Sequence, residues 1–144
     1  MNAQKNSYQI QVISKIEDSK GDINEMTLYS EATYKRAHTK AFLMYEETEV
    51  SGMENTKTLI SFDGKMVQIK RFGNLKSQLD IEKDVTHENL YATPYGTFMM
   101  KTKGLEIIWK DSDIINIELS YLLEIESDQE EISKVHIKID VKRD

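Results

Sequence analysis

The sequence contains no cysteine, and that absence excludes disulfides and thiolate metal sites outright. It fits a reducing compartment. Proline is nearly missing as well: Pro94 stands alone, so no stretch has the make-up of a stiff proline-rich linker. The six glycines are scattered singly, which leaves no Walker loop, no dinucleotide fingerprint and no G-x-S-x-G nucleophile turn. Long apolar runs are lacking too. The longest, Ala41-Phe42-Leu43-Met44-Tyr45, is far too short for a helix that crosses a bilayer. The first residues, Met1 to Ser7, have no apolar centre of the kind a secretory signal requires. A cytoplasmic location is the resulting expectation.

Basic charge is also scarce. Against 25 acidic residues stand 19 basic ones, for a net charge of −6. Phosphate backbones and anionic lipids are held by clustered Lys and Arg, so neither a nucleic acid nor a membrane is an expected partner. The acidic segment from Glu124 to Glu131 reads as a solvated strand end and turn. The final basic strand carries Lys134, His136, Lys138, Lys142 and Arg143 but no aromatic residue to stack on a base.

What is present is a period of two. The chain has 144 residues, the size of one domain, and shows no repeat or composition break. One domain over 1–144 is expected, with residues 1–7 as a flexible tail. Tyr8, Ile10, Val12 and Ile16 share one face, as do Met26, Leu28, Ala32 and Tyr34. Ala41, Leu43 and Tyr45 follow, then Thr56, Thr58, Ile60 and Phe62. Asp63-Gly64 predicts a type I′ hairpin. Beyond it Val67, Ile69 and Arg71 alternate up to a turn at Gly73-Asn74, and Leu75, Ser77, Leu79 and Ile81 return. A polar loop is expected from Lys83 to His87, then a strand through Leu90 to Thr93 and a bend at Pro94-Tyr95-Gly96. Phe98, Met100 and Thr102 run to a turn at Gly104; Leu105, Ile107 and Trp109 follow. The last two strands carry Ile115, Ile117, Leu119, Tyr121, Leu123 and Ile125, then Val135, Ile137, Ile139 and Val141, with a reversal at Ser127 to Glu131. About eight to ten strands joined by short turns must pair antiparallel. Such a sheet splits into a sandwich or closes. Polar residues recurring on the inner face favour a closed or nearly closed up-and-down β-barrel, all-β throughout.

Several strings are more specific than this alternation. Tyr45-Glu46-Glu47 leads to Gly52 and then Thr56-Lys57-Thr58; Arg71-Phe72-Gly73, Ser77-Gln78-Leu79, Tyr91-Ala92-Thr93-Pro94-Tyr95-Gly96-Thr97 and Thr102-Lys103 follow in order. On these, the stretch from Tyr45 to Glu106 resembles the YwiB-like family of small bacterial proteins, described as a domain of unknown function. The resemblance implies a calycin-like barrel, the architecture of lipocalins and fatty-acid-binding proteins. It implies no activity, because barrels of this shape host binders, enzymes and proteins without a ligand.

Arg71 is the residue that departs from pattern, since alternation puts it beside Val67 and Ile69 on the core face. A charge there needs a carboxylate, water or an anionic ligand. Glu47 and Glu49 share a face with Leu43 and Tyr45 and are the candidate partners. Thr58, Ser77, Thr102 and Tyr121 are polar among apolar neighbours and could line one polar patch with Arg71. Each could equally bond the backbone. Tyr91 and Tyr95 flank a corner sharpened by Pro94 and Gly96, and could form the lip of the barrel mouth. His38, His87 and His136 show no metal-ligand spacing, so neither a metal nor a cofactor is expected. Three readings follow. The first is a binder of a small, partly apolar, anionic ligand, and the balance falls to it. The second is an enzyme using Arg71 with Glu47 or Tyr91. The third is a structural or interaction protein with a filled lumen.

Overall fold

The computed structural model describes residues 7–73, 76–126 and 131–143. Ten strands form one closed antiparallel barrel in which every strand pairs with its sequence neighbours and the last closes on the first. They are β1 (Ser7–Glu17), β2 (Ile23–Ala37), β3 (Lys40–Glu46), β4 (Thr56–Phe62), β5 (Met66–Gly73), β6 (Lys76–Glu82), β7 (Thr86–Thr93), β8 (Gly96–Lys110), β9 (Ile115–Ile125) and β10 (Ile132–Arg143). A 3-10 turn, Glu49–Ser51, lies in the β3–β4 connection. Strand β1 already starts at Ser7, and the remainder of the expected tail lies outside the described residues.

Alternation sets the inside. Val67, Ile69, Leu79, Ile117, Leu119, Ile137 and Ile139 are all buried in one core, together with Ile10, Leu28, Leu43, Ile60 and Ile81. Burying each such side chain contributes roughly 1.5–3 kcal/mol. The middle of the lumen is therefore filled by side chains.

Three local expectations are corrected. Gly104 does not end a strand. The segment 96–110 is one strand with a bulge between Gly104 and Glu106, which leaves Leu105 without a place in the core and shifts the inward set from Met100 and Thr102 to Ile107 and Trp109. A bulge changes which parity faces in, because two residues then oppose one. Glycine is needed there because a Cβ would meet the Glu82 carbonyl oxygen at 2.5 Å.

The Asp63-Gly64 turn is not type I′. Gly64 has φ +96°, but Asp63 is not among the residues with positive φ. Its carboxylate instead accepts from the amides of Lys65 (2.9 Å) and Met66 (2.8 Å), a side-chain-built turn. Those two bonds, that of Met66 first, hold the Asp63 carboxyl below its usual range.

The polar loop before β7 is shorter than expected, since His87 already lies in the strand. The expected Gly73-Asn74 turn and the reversal at 127–131 fall largely outside the described residues.

The seam between β6 and β7 departs from the rest of the wall. Only Lys76–Ala92 and Ser77–Tyr91 are in register. Farther along, side chains replace the ladder: the Asp80 amide donates to Asn89 Oδ1 (3.1 Å), and the Asp80 carbonyl accepts from Thr102 Oγ1 (2.5 Å).

The two ends differ as well. At the end that holds the β2–β3, β4–β5, β6–β7 and β8–β9 connections, Trp109 stacks on Phe62 with centroids 5.2 Å apart. Its Nε1 donates to the Tyr34 hydroxyl (2.9 Å), which donates to Asp111 Oδ2 (2.7 Å); Arg36 Nε donates to the same oxygen (2.7 Å). These residues form an aromatic plug at that end. At the other end the β3–β4 connection folds over against β2.

Candidate functional site

The polar residues of the interior collect at this second end, and the register explains why. Tyr45 of β3 is opposite Thr58, Thr58 is opposite Arg71, Arg71 is opposite Ser77, and Ser77 is opposite Tyr91. Directly opposed side chains lie about 4.5–5.5 Å apart at Cβ. Four sequence candidates, Thr58, Arg71, Ser77 and Tyr91, thus form one continuous row with Tyr45. The row follows from a period of two on each strand and antiparallel pairing between them.

Glu47 continues the inward face of β3 just past the strand end, where its amide still donates to the Thr56 carbonyl (2.8 Å). Its side chain is only 7% exposed. Oε2 accepts from Thr58 Oγ1 at 2.5 Å. Burial first, and then the Glu47 carboxylate, push the Tyr45 phenol far above its usual range, while Arg71 pulls the other way. The Tyr121 phenol is raised by burial as well, again opposed by Arg71. Arg71 therefore acts electrostatically on tyrosines from two sides of the lumen.

A cavity of about 40 Å³ lies here, lined among others by Arg71, Glu47, Tyr45, Ser14, Met26 and Met53. Arg71 and Glu47 both line it, yet neither forms an ion pair within the described residues. The Arg71 Nε is buried with no hydrogen-bond partner, and so is the hydroxyl of Thr56 on the adjoining strand. Orphaned buried donors cost roughly 1–3 kcal/mol each, more for charged groups. Next to the cavity, on the barrel mouth, is a wider groove of about 470 Å³ bounded by Ile16, Asn24, Glu25, Thr27 and Val50. Ser14 and Met26 line both spaces.

The remaining candidates are not in this cluster. Glu49 is exposed on the 3-10 turn and does not line the cavity at Arg71. Thr102 is buried, but its hydroxyl is committed to the Asp80 carbonyl. Tyr95 is 94% exposed at the tip of the β7–β8 hairpin, whereas Tyr91 is half-buried against the core. Gly96 has φ +141°, as a bend there requires.

Sequence reasoning missed Thr56, Ser14 and the two methionines as part of the site. Alternation already set Thr56 and Met26 on inward faces without marking them as site residues, and it could have placed Ser14 there as well. Met53 sits in an aperiodic connection and gives no such signal. Among the described residues no group of three His, Asp or Glu side chains is positioned to hold a metal.

Comparison with solved structures places the fold. The YwiB protein of Bacillus subtilis superposes with a TM-score of 0.77 at 19% identity, over 96% of this chain and 93% of that one. A LolA-superfamily protein from Nitrosomonas europaea aligns over 99% of this chain and 88% of that one, at 9% identity and a TM-score of 0.27. No curated protein matches the sequence. A family model does, from residue 10 to residue 139, and the chain accordingly belongs to DUF1934, a domain of unknown function with this barrel fold.

Proposed function

We propose that this barrel binds a small, partly apolar anion at its open end, with Arg71 as the anchor. The observation that carries the reading is the buried Arg71 Nε without a partner, on a side chain that lines a cavity. A planar guanidinium is suited to the two oxygens of a carboxylate. Apolar neighbours such as Val12, Leu28 and Met26 supply the remainder of a mixed lining, the usual composition of a ligand site. The filled lumen confines the ligand to the end of the barrel, and the β3–β4 connection must give way to admit more than a few atoms. An acid–base role for Glu47 beside Tyr45 remains the alternative for the same cavity, but no observation favours it over binding. The cytoplasm is the proposed setting, because nothing in the cysteine-free chain calls for oxidation.

The test is native mass spectrometry of protein purified from its own host, wild type beside Arg71→Met. Wild type should carry a low-mass anion, and the variant should lose about ten- to a hundredfold in affinity while its thermal midpoint shows it folded. Arg71→Lys should recover part of the binding, since a point charge lacks the fork. Undiminished retention by a folded Arg71→Met protein would overturn the reading.

A further inference from the structure

The cavity at Arg71 contains a second charged group, and the pair has an unusual arrangement. Opposite charges brought into one small buried space normally neutralise each other by direct contact, because each is costly to bury alone. Here Arg71 and Glu47 line the same cavity of about 40 Å³ and form no ion pair. Glu47 is held by other means: its amide is tied to the Thr56 carbonyl and its Oε2 to the Thr58 hydroxyl. The first bond fixes the main chain that carries the side chain, and the second holds the carboxylate on the β3–β4 side of the cavity. Arg71 lies across from Thr58 on β5, its Nε unpartnered. The cavity thus offers a cation and a carboxylate separately.

A simple dianion such as phosphate suits this poorly, because Glu47 repels it while Arg71 attracts it. A plain carboxylate satisfies only one of the two. The group that satisfies both has an anionic acceptor at one end and a cationic donor at the other. On this basis, which rests on the anion-binding reading above, we infer that the ligand is a zwitterion of the α-amino-acid class with an apolar side chain. Its carboxylate meets Arg71, its ammonium meets Glu47, and its side chain extends past Met26 into the mouth groove beside Ile16 and Val50. Ser14 and Met26 line both the cavity and that groove, which makes them the passage between head and tail. The groove, about 470 Å³, accommodates the side chain, while the 40 Å³ cavity is only slightly larger than the ~30 Å³ share of one water. Ser51 and Met53 of the β3–β4 connection, which also line the cavity, are the residues that must shift to seat the head group.

Three probes that share a carbon skeleton separate the contributions: L-leucine, isocaproate (leucine without its ammonium) and isoamylamine (leucine without its carboxylate). Each is titrated into the isotopically labelled protein and followed by amide chemical shifts. Leucine should bind at least about tenfold more tightly than isocaproate, as expected for one charge-assisted contact, and isoamylamine should bind weakest. Glu47→Gln keeps the side-chain shape and the acceptor for Thr58. It should erase the preference for leucine over isocaproate without weakening isocaproate, and its thermal midpoint checks the fold. Arg71→Met should weaken the binding of both by about ten- to a hundredfold. If isocaproate binds as well as leucine, and Glu47→Gln strengthens it, the zwitterion inference is wrong and the anion reading stands. If no probe shifts the residues around Arg71, both fall.

Discussion

Tyr34 connects the aromatic plug to the acid–base behaviour of the fold. Its hydroxyl accepts from Trp109 and donates to Asp111. Burial first, then the bond to Asp111, raise its pKa to about 12 from 10.0. The folded state therefore holds a proton that the unfolded chain releases earlier. The stability this contributes is complete below pH 10 and is lost as pH rises through 12. Tyr45 and Tyr121 shift in the same direction. Urea unfolding should give a flat stability through neutral pH and a decline at alkaline pH, shallower in Tyr34→Phe. At neutral pH the same substitution should cost about 1–3 kcal/mol, because the Trp109 indole loses its acceptor. Gly104 offers a steric counterpart. A Cβ there would lie 2.5 Å from the Glu82 carbonyl oxygen and 2.9 Å from the Lys83 nitrogen, both backbone atoms. Gly104→Ala should destabilise by about 1–3 kcal/mol, read from the urea midpoint with the m-value unchanged.

The β6–β7 seam is the element whose stability is most local. Elsewhere a strand is held along its length by backbone ladders, but beyond Ser77 the Asp80 amide and carbonyl depend on the side chains of Asn89 and Thr102. Asn89→Ala should make the Asp80 amide exchange with solvent much faster than amides of the β4–β5 pair, and Thr102→Val should act on the same seam from β8. Equal protection at both pairs in the variant would show that the seam is held by something else. This seam also marks the limit of what alternation reveals. Inward parity was legible on β1 to β6 because each has an uninterrupted period of two, and it put Arg71, Thr58 and Ser77 on inward faces; that they fall in one row follows only from the register. It failed at Leu105, where a bulge reverses the parity, and at Asp63, where a side chain builds a turn that the Asp-Gly pair suggested would be built by the backbone. Glu49, on the 3-10 turn rather than on the inward face of β3, departs from alternation for a related reason. Once a chain leaves the ladder, sequence spacing no longer fixes where a side chain points.

At the scale of the molecule, closure joins the two ends of the chain: Tyr8 pairs with Arg143, and β1 pairs with β10 over ten residues. No local contact can substitute for that pairing, so folding should be slow for the size of the protein. Stopped-flow refolding should show relaxation in roughly milliseconds to seconds, as topologies dominated by distant contacts do. Microsecond relaxation would mean that closure is not part of the rate-limiting step. The barrel is also polarised, with the plug at one end and Arg71 at the other. This has a practical consequence for anyone who assays it. The chain has one tryptophan, and Trp109 belongs to the plug, stacked on Phe62 and bonded to Tyr34. As an intrinsic fluorophore it reports the melting of the far end with high contrast, yet it is spectroscopically blind to what happens at the mouth. A titration that leaves its emission unchanged therefore says nothing about whether the site at Arg71 is occupied.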